Sequence, residues 1–136
     1  MNAARVMAEQ CTGRGARGVV CAAAPMAAAA GADVLRAGGS AFDAVVAACL
    51  VETVLLPSKC GLGGDLVAIS VTRGAEPEAL LAIGGAPAGL AAIAGSGTWR
   101  DVGPHSVGPP AGPAGYVALA RRGNLPLGRL ATRAVE

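Results

Sequence analysis

A glycine-rich turn, Cys60-Gly61-Leu62-Gly63-Gly64-Asp65, is the first stretch of this chain whose residue types could do chemistry. Backbone amides in such a turn cradle a phosphate when the turn follows a strand and opens a helix. Here the order is reversed, because an apolar helical stretch leads in and a β-branched stretch, LVAISVT, leads out. The Gly-Lys-Ser/Thr of a P-loop is absent as well. Gly61, Gly63 and Gly64 therefore read as a structural turn where backbones approach closely, with Asp65 accepting hydrogen bonds from nearby amides.

The other candidates are thinner. His105 is the single histidine, and it sits in a proline-rich loop without an evident partner for a base. Asp33, Asp43 and Glu52 fall on helical stretches, where capping and solvation account for them. The four cysteines, Cys11, Cys21, Cys49 and Cys60, show no C-x-x-C spacing, and no acidic cluster accompanies the histidine. No metal and no cofactor is expected. Cys49, inside an apolar helix, reads as a reduced core thiol.

The elements that would carry these groups are unusual in composition. Of the 136 residues, 53% are hydrophobic but only 2% aromatic, so the apolar content is largely alanine and a core must come from close approach of backbones. The net charge of +2 comes from scattered arginines with Lys59 the only lysine, which gives no footprint for nucleic acid. The N-terminus carries charges where a signal peptide needs an apolar run. The longest apolar stretch, 44–56, is interrupted by Glu52 and too short to span a bilayer. These features read as a cytoplasmic chain without a membrane partner.

In order, residues 1–17 read as a flexible leader and 18–136 as the folded portion. GVVCAA (18–23) is expected as a buried strand. Pro25 opens a helix that Gly38 and Gly39 stop. Ser40 caps the next helix, with Asp43 completing a capping box, and that helix runs from 41 to 56, apolar round most of its circumference. Such a helix must be buried on several sides, and the chain offers few elements to bury it. Two strands, 66–72 and 78–83, pair across a turn at 73–77. A weak helix at 88–94, a glycine- and proline-rich loop at 95–113, a short helix at 116–122 and a final helix opened by Pro126 complete the α/β (α+β) pattern. The final helix ends without a capping signal, and reads as cut off.

Taken together, GVVCAAAPMAAAAGADVLRAGGSAFDAVVAACLV, PSKCGLGGDLVAIS, GGAPAGL, HSVGPPAGPAGYVAL and LPLGRLATRAVE resemble, in collinear order, the N-terminal part of the large subunit of γ-glutamyltransferase-like proteins. The family reads G-G-N-A-x-D-A where this chain has Ser40 in place of the asparagine. No single motif is diagnostic; the order and spacing are. The resemblance implies the N-terminal part of an αββα-sandwich N-terminal nucleophile hydrolase, incomplete on its own. It also implies a precursor that cuts itself in two, with a small subunit, or precursor remainder, whose N-terminal threonine attacks a small-molecule amide. Thr12 and Thr132 lie in the wrong places to be that threonine, so this chain alone is expected to be catalytically silent.

One departure bears on substrate. The resemblance implies an arginine beside the Ala-Pro of GGAPAGL, clamping the α-carboxylate of a γ-glutamyl group. Gly84 and Gly85 stand there instead, and the nearest arginines are Arg73 and Arg100. True loss of the clamp implies a non-glutamyl amidohydrolase or a biosynthetic bond-cleaving hydrolase of the same family. A register shift bringing Arg73 or Arg100 into the pocket would preserve glutamyl recognition. A further alternative is a truncated, silent homologue acting as a structural or interaction partner.

Overall fold

The computed structural model describes residues 13–94, 102–103 and 106–136. Thr12, Arg100 and His105, weighed above, lie outside the described residues.

Helices α1 (Pro25–Arg36) and α2 (Ala41–Leu55) form a helix hairpin and pack on each other more extensively than any other pair of elements. The start of α1 meets the end of α2, since Ala24, Ala27 and Ala30 cluster with Ala48 and Val51. Alanine and Gly31 make this approach close: a Cβ on Gly31 would lie 2.8 Å from Val20 Cγ1 and 2.9 Å from the Ala44 carbonyl oxygen. Gly38 ends α1 at φ +89, a left-handed conformation that glycine adopts without strain. The capping box at Ser40 forms as expected, with Asp43 N–H donating to the serine hydroxyl at 3.2 Å and Ser40 N–H donating to the Asp43 carboxylate at 2.7 Å.

Helix α2 is the hub. It touches α1, the single-turn α3 (Pro57–Cys60), α5 (Gly112–Ala120), α6 (Leu127–Leu130) and α7 (Thr132–Val135), and so buries several of its faces. Val46 and Ala47 join Leu119 and Leu130 in a second core cluster. Burying Val46 and Leu130 each contributes about 1.5–3 kcal/mol. The final helical stretch is two short pieces, α6 and α7, meeting at Ala131.

Strands β1 (Leu66–Ser70) and β2 (Glu78–Ala82) pair antiparallel, Leu66 opposite Ala82 and Ser70 opposite Glu78. Helix α5 lies on one face of this hairpin, where Gly115 gives it room against Leu66 and Ala82. Helix α4 is Leu90–Ala94. The result is a mixed helix and antiparallel-sheet arrangement, as the sequence pattern implies.

The strand expected at 18–23 is not a strand. The segment packs Val20 and Ala22 on the helix hairpin but makes no ladder, because among the described residues the two strands pair only with each other. A short apolar run supplies one face of a strand; a ladder also needs an edge to pair with. Its last amides are satisfied from α2 instead, Ala23 N–H donating to Glu52 Oε1 at 2.6 Å and Ala24 N–H at 3.4 Å. Helix α1 has no side-chain cap of its own, so the Glu52 carboxylate stands at its N-terminus.

Candidate functional site

Three backbone segments converge at one end of the hairpin. The first is the turn 61–65, closed by Gly64 N–H donating to the Gly61 carbonyl at 3.1 Å. The second is Gly84, whose N–H donates to Asp65 Oδ1 at 2.9 Å. The third is the loop 109–112, whose Gly112 N–H donates to the Gly64 carbonyl at 2.8 Å. The amide that Asp65 accepts from is thus 19 residues away in sequence, on the glycine that precedes Gly85 and the Ala-Pro pair.

The glycines at this junction differ in what surrounds them. The space a Gly84 side chain would need is taken by the Pro109 carbonyl, so any side chain there would displace the 109–112 loop. A Cβ on Gly112 would stand 3.0 Å from the Gly64 carbonyl. Gly85 and Gly63 are open, with nothing within 4 Å of an added Cβ.

Arg73 is not part of this junction. It lies in the hairpin turn, at the end of β1 opposite Asp65 and Gly84, with the 5 residues of β1 between them. At about 3.3 Å per residue that is roughly 17 Å, well beyond a guanidinium's reach. The structure therefore brings Gly61, Gly64, Asp65 and Gly84 together and leaves Arg73 out.

A second grouping was not read from the sequence. Tyr116 on α5 shares its surroundings with Cys49, Cys60 and Glu52, and burial together with these neighbours pushes its hydroxyl up to about 12. Burial, Glu52 and Cys60 likewise push the Cys49 thiol above its ordinary value. The residues come from the consecutive helices α2 and α3 and from α5, which lies more than 50 residues further on, so spacing alone carried no signal. Both shifts favour the neutral form.

Asp43 is also more than a cap. It is fully buried, and it accepts from Asn124 N–H at 3.0 Å and Leu125 N–H at 3.1 Å besides its bonds to Ser40. Burial pushes its carboxyl up, but the Asn124, Ser40 and Leu125 donors outweigh this and hold it below its ordinary value. Ser40 Oγ donates to this carboxylate at 2.7 Å, yet a carboxylate engaged by so many amides is a poor base for activating a hydroxyl. Among the described residues, no group of three or more potential metal ligands comes together. No helix among them is long and apolar enough to cross a membrane.

This architecture is that of the N-terminal part of N-terminal nucleophile hydrolases of the gamma-glutamyltranspeptidase type. The gamma-glutamyltranspeptidase from Pseudomonas nitroreducens complexed with L-DON superposes with a TM-score of 0.76 at 24% identity, over 90% of this chain and 38% of that one. The cephalosporin acylase from Bacillus halodurans superposes with a TM-score of 0.74 at 36% identity, over 82% of this chain and 22% of the other. In sequence, the acylase ACY 1 proenzyme of Pseudomonas sp. (strain SE83) is 48% identical over 61 residues, 44% of this chain and 11% of its own length. The family model described as gamma-glutamyltranspeptidase matches residues 27–136, and the chain belongs to that family. It spans well under half the length of these relatives.

Proposed function

We propose that these residues form the N-terminal portion of the large subunit of an amidohydrolase that acts on an acyl group other than γ-glutamyl. The reaction runs through an acyl-enzyme on an N-terminal threonine carried by a companion chain. The threonine's α-amine serves as general base, its hydroxyl attacks the amide carbonyl, and water or an acceptor amine releases the acyl group. Residues 18–136 supply scaffold, and the junction of Gly84, Asp65 and loop 109–112 shapes one wall of the substrate pocket.

The observation that carries the choice of acyl group is the surroundings of Gly84. A clamp for an α-carboxylate needs a fixed bidentate cation. Among the described residues, the Pro109 carbonyl fills the space of any Gly84 side chain and Arg73 is at the far end of the hairpin; Arg100 lies outside them. The likeness to acylases in both sequence and structure is in keeping with this.

The test begins with the protein from its native source: its denatured mass, the N-terminal sequence of every companion chain, and hydrolysis of paired anilides. A companion that starts with threonine, and faster cleavage of a simple acyl anilide than of the γ-glutamyl anilide, are the expected results. Preference for the γ-glutamyl anilide would overturn the substrate reading. A companion without N-terminal threonine would overturn the mechanism.

A further inference from the structure

Three arginines from two parts of the chain meet around one cavity at the end of α1. The loop 13–20 and the last turn of α1 wall a space of about 500 Å³, and Arg14, Arg17 and Arg36 all line it. Among the described residues, none that lines it is acidic. The loop closes on itself and rests on the helix. A Cβ on Gly15 would overlap the Gly18 carbonyl, one on Gly13 would stand 3.4 Å from Val19 Cγ2, and one on Gly18 would stand 3.2 Å from Leu35 Cδ1. Glycine at 15 is what lets the turn close, and the turn brings Arg14 and Arg17 to Arg36.

Arginines beside a helix C-terminus have an ordinary use, which is to pair with the free carbonyls there. Here three of the last four carbonyls of α1 are already taken by backbone amides. Ala37 N–H donates to the Asp33 carbonyl at 2.9 Å, Gly38 N–H to that of Leu35 at 3.1 Å, and Gly39 N–H to that of Val34 at 2.9 Å. Arg36 has one carboxylate, that of Asp33, which Arg133 shares. Arg14 and Arg17 add two further charges to the cavity wall.

We propose that this cavity binds a small phosphate monoester, held by Arg14, Arg17 and Arg36. A guanidinium presents its N–H donors in a planar fork and takes two oxygens at once. A phosphate monoester offers three terminal oxygens and carries about −1.5 to −2 at neutral pH, which matches the two arginine charges beyond the one that Asp33 offsets. A carboxylate brings one charge and two oxygens, and leaves a guanidinium without an acceptor. Nucleic acid fits less well, because a phosphodiester carries a single charge per phosphate and these arginines surround a cavity rather than run as a stripe along a face. The volume suits a phosphate with a small organic group attached, since small-molecule sites span ~300–1,000 Å³. The site goes beyond the acyl-transfer reading and stands whichever acyl group is cleaved.

The experiment uses the complete protein expressed from its source gene, with inorganic phosphate as the probe. Calorimetric titration at fixed ionic strength and about pH 8 should show saturable binding, roughly tenfold or more tighter than that of acetate. Arg14→Gln and Arg17→Gln should each weaken it roughly tenfold, the range of one charge-assisted hydrogen-bonded contact. Arg73→Gln removes the same charge from the hairpin turn and should leave binding unchanged. Gly15→Ala keeps all three arginines but cannot close the turn, and should weaken binding as far. Phenylglyoxal labelling followed by peptide mapping reads the site without any substitution. Phosphate should slow modification of Arg14 and Arg17, but not of Arg73, against chloride at equal ionic strength. Acetate binding as tight as phosphate, an equal loss in Arg73→Gln, or no protection of Arg14 and Arg17 would each overturn the proposal. Stronger protection by a short oligonucleotide without a terminal phosphate would also overturn it, in favour of a nucleic-acid surface.

Discussion

Asp43, in the first turn of α2, holds the backbone amide of Leu125 at 3.1 Å across 82 residues of sequence. The same carboxylate accepts from Asn124 and from Ser40, so one buried charge fixes the start of the hub helix and the approach to α6 together. Gly123 is what admits it, because a Cβ there would overlap the carboxylate.

Replacing Asp43 by asparagine should therefore destabilise the chain by about 3 kcal/mol, since an amide group would face the Asn124 and Leu125 donors and leave buried N–H groups unpaired. The wild-type carboxyl is held below its ordinary value of 3.8 in the folded state. Its contribution is then fully present above that value and is lost as the pH falls through the lower, folded-state one. Melting temperatures followed from neutral pH down to about 3 should fall more for wild type than for Asp43→Asn over the acidic limb. Parallel acid limbs would refute the assignment.

Much of this fold was legible because its signals are local. Ser40 and Asp43 lie three apart and give the capping box; Gly38 gives the helix stop; two apolar runs across the turn at 73–77 give the hairpin; Asp65 beside a glycine turn gives an amide acceptor. What escaped was long-range. Nothing near Asp43 in sequence announces Asn124 and Leu125, and nothing near Tyr116 announces Cys49 and Cys60. The 18–23 run carries a strand's composition, but pairing is decided by an available edge. Arg73 is a different case. Two antiparallel strands already put their turn at the end opposite Gly84, so the hairpin reading alone excluded it.

Gly31 gives a second prediction, on helix packing. In an isolated helix, Gly31→Ala would gain about 1 kcal/mol from propensity. Here the new methyl would meet the Ala44 carbonyl of α2 at 2.9 Å and Val20 at 2.8 Å. Overpacking of this kind costs about 1–3 kcal/mol and should win, because one of the contacts is backbone and cannot swing away. Urea denaturation should show a lower midpoint for Gly31→Ala. A midpoint equal to or above wild type would mean that α1 and α2 have room to separate.

The thiols should differ in reactivity. Cys21 is exposed, whereas burial, Glu52 and Cys60 push the Cys49 thiol above its ordinary value of 9.0. The thiolate is the reactive form, so iodoacetamide at about pH 8 should label Cys21 at least roughly tenfold faster than Cys49. Peptide mapping of a time course reads both sites in one sample. Equal rates would show that the end of α2 opens to solvent on the labelling timescale.

The last prediction concerns the glycine pair at the junction. If glycine in place of an arginine at this pair sets the acyl preference, introducing an arginine should bring γ-glutamyl recognition back, but only where a side chain fits. Gly85 has nothing within 4 Å of an added Cβ, whereas the Pro109 carbonyl occupies that space at Gly84. In the complete protein, Gly85→Arg should raise kcat/KM for a γ-glutamyl anilide by roughly tenfold or more, the range of one charged hydrogen-bonded contact. Gly84→Arg should instead displace loop 109–112, losing activity on simple acyl anilides as well. The asymmetry between neighbouring positions is the informative readout. If both arginines leave the γ-glutamyl rate unchanged while the simple acyl rate persists, the glycine pair does not line the acyl site.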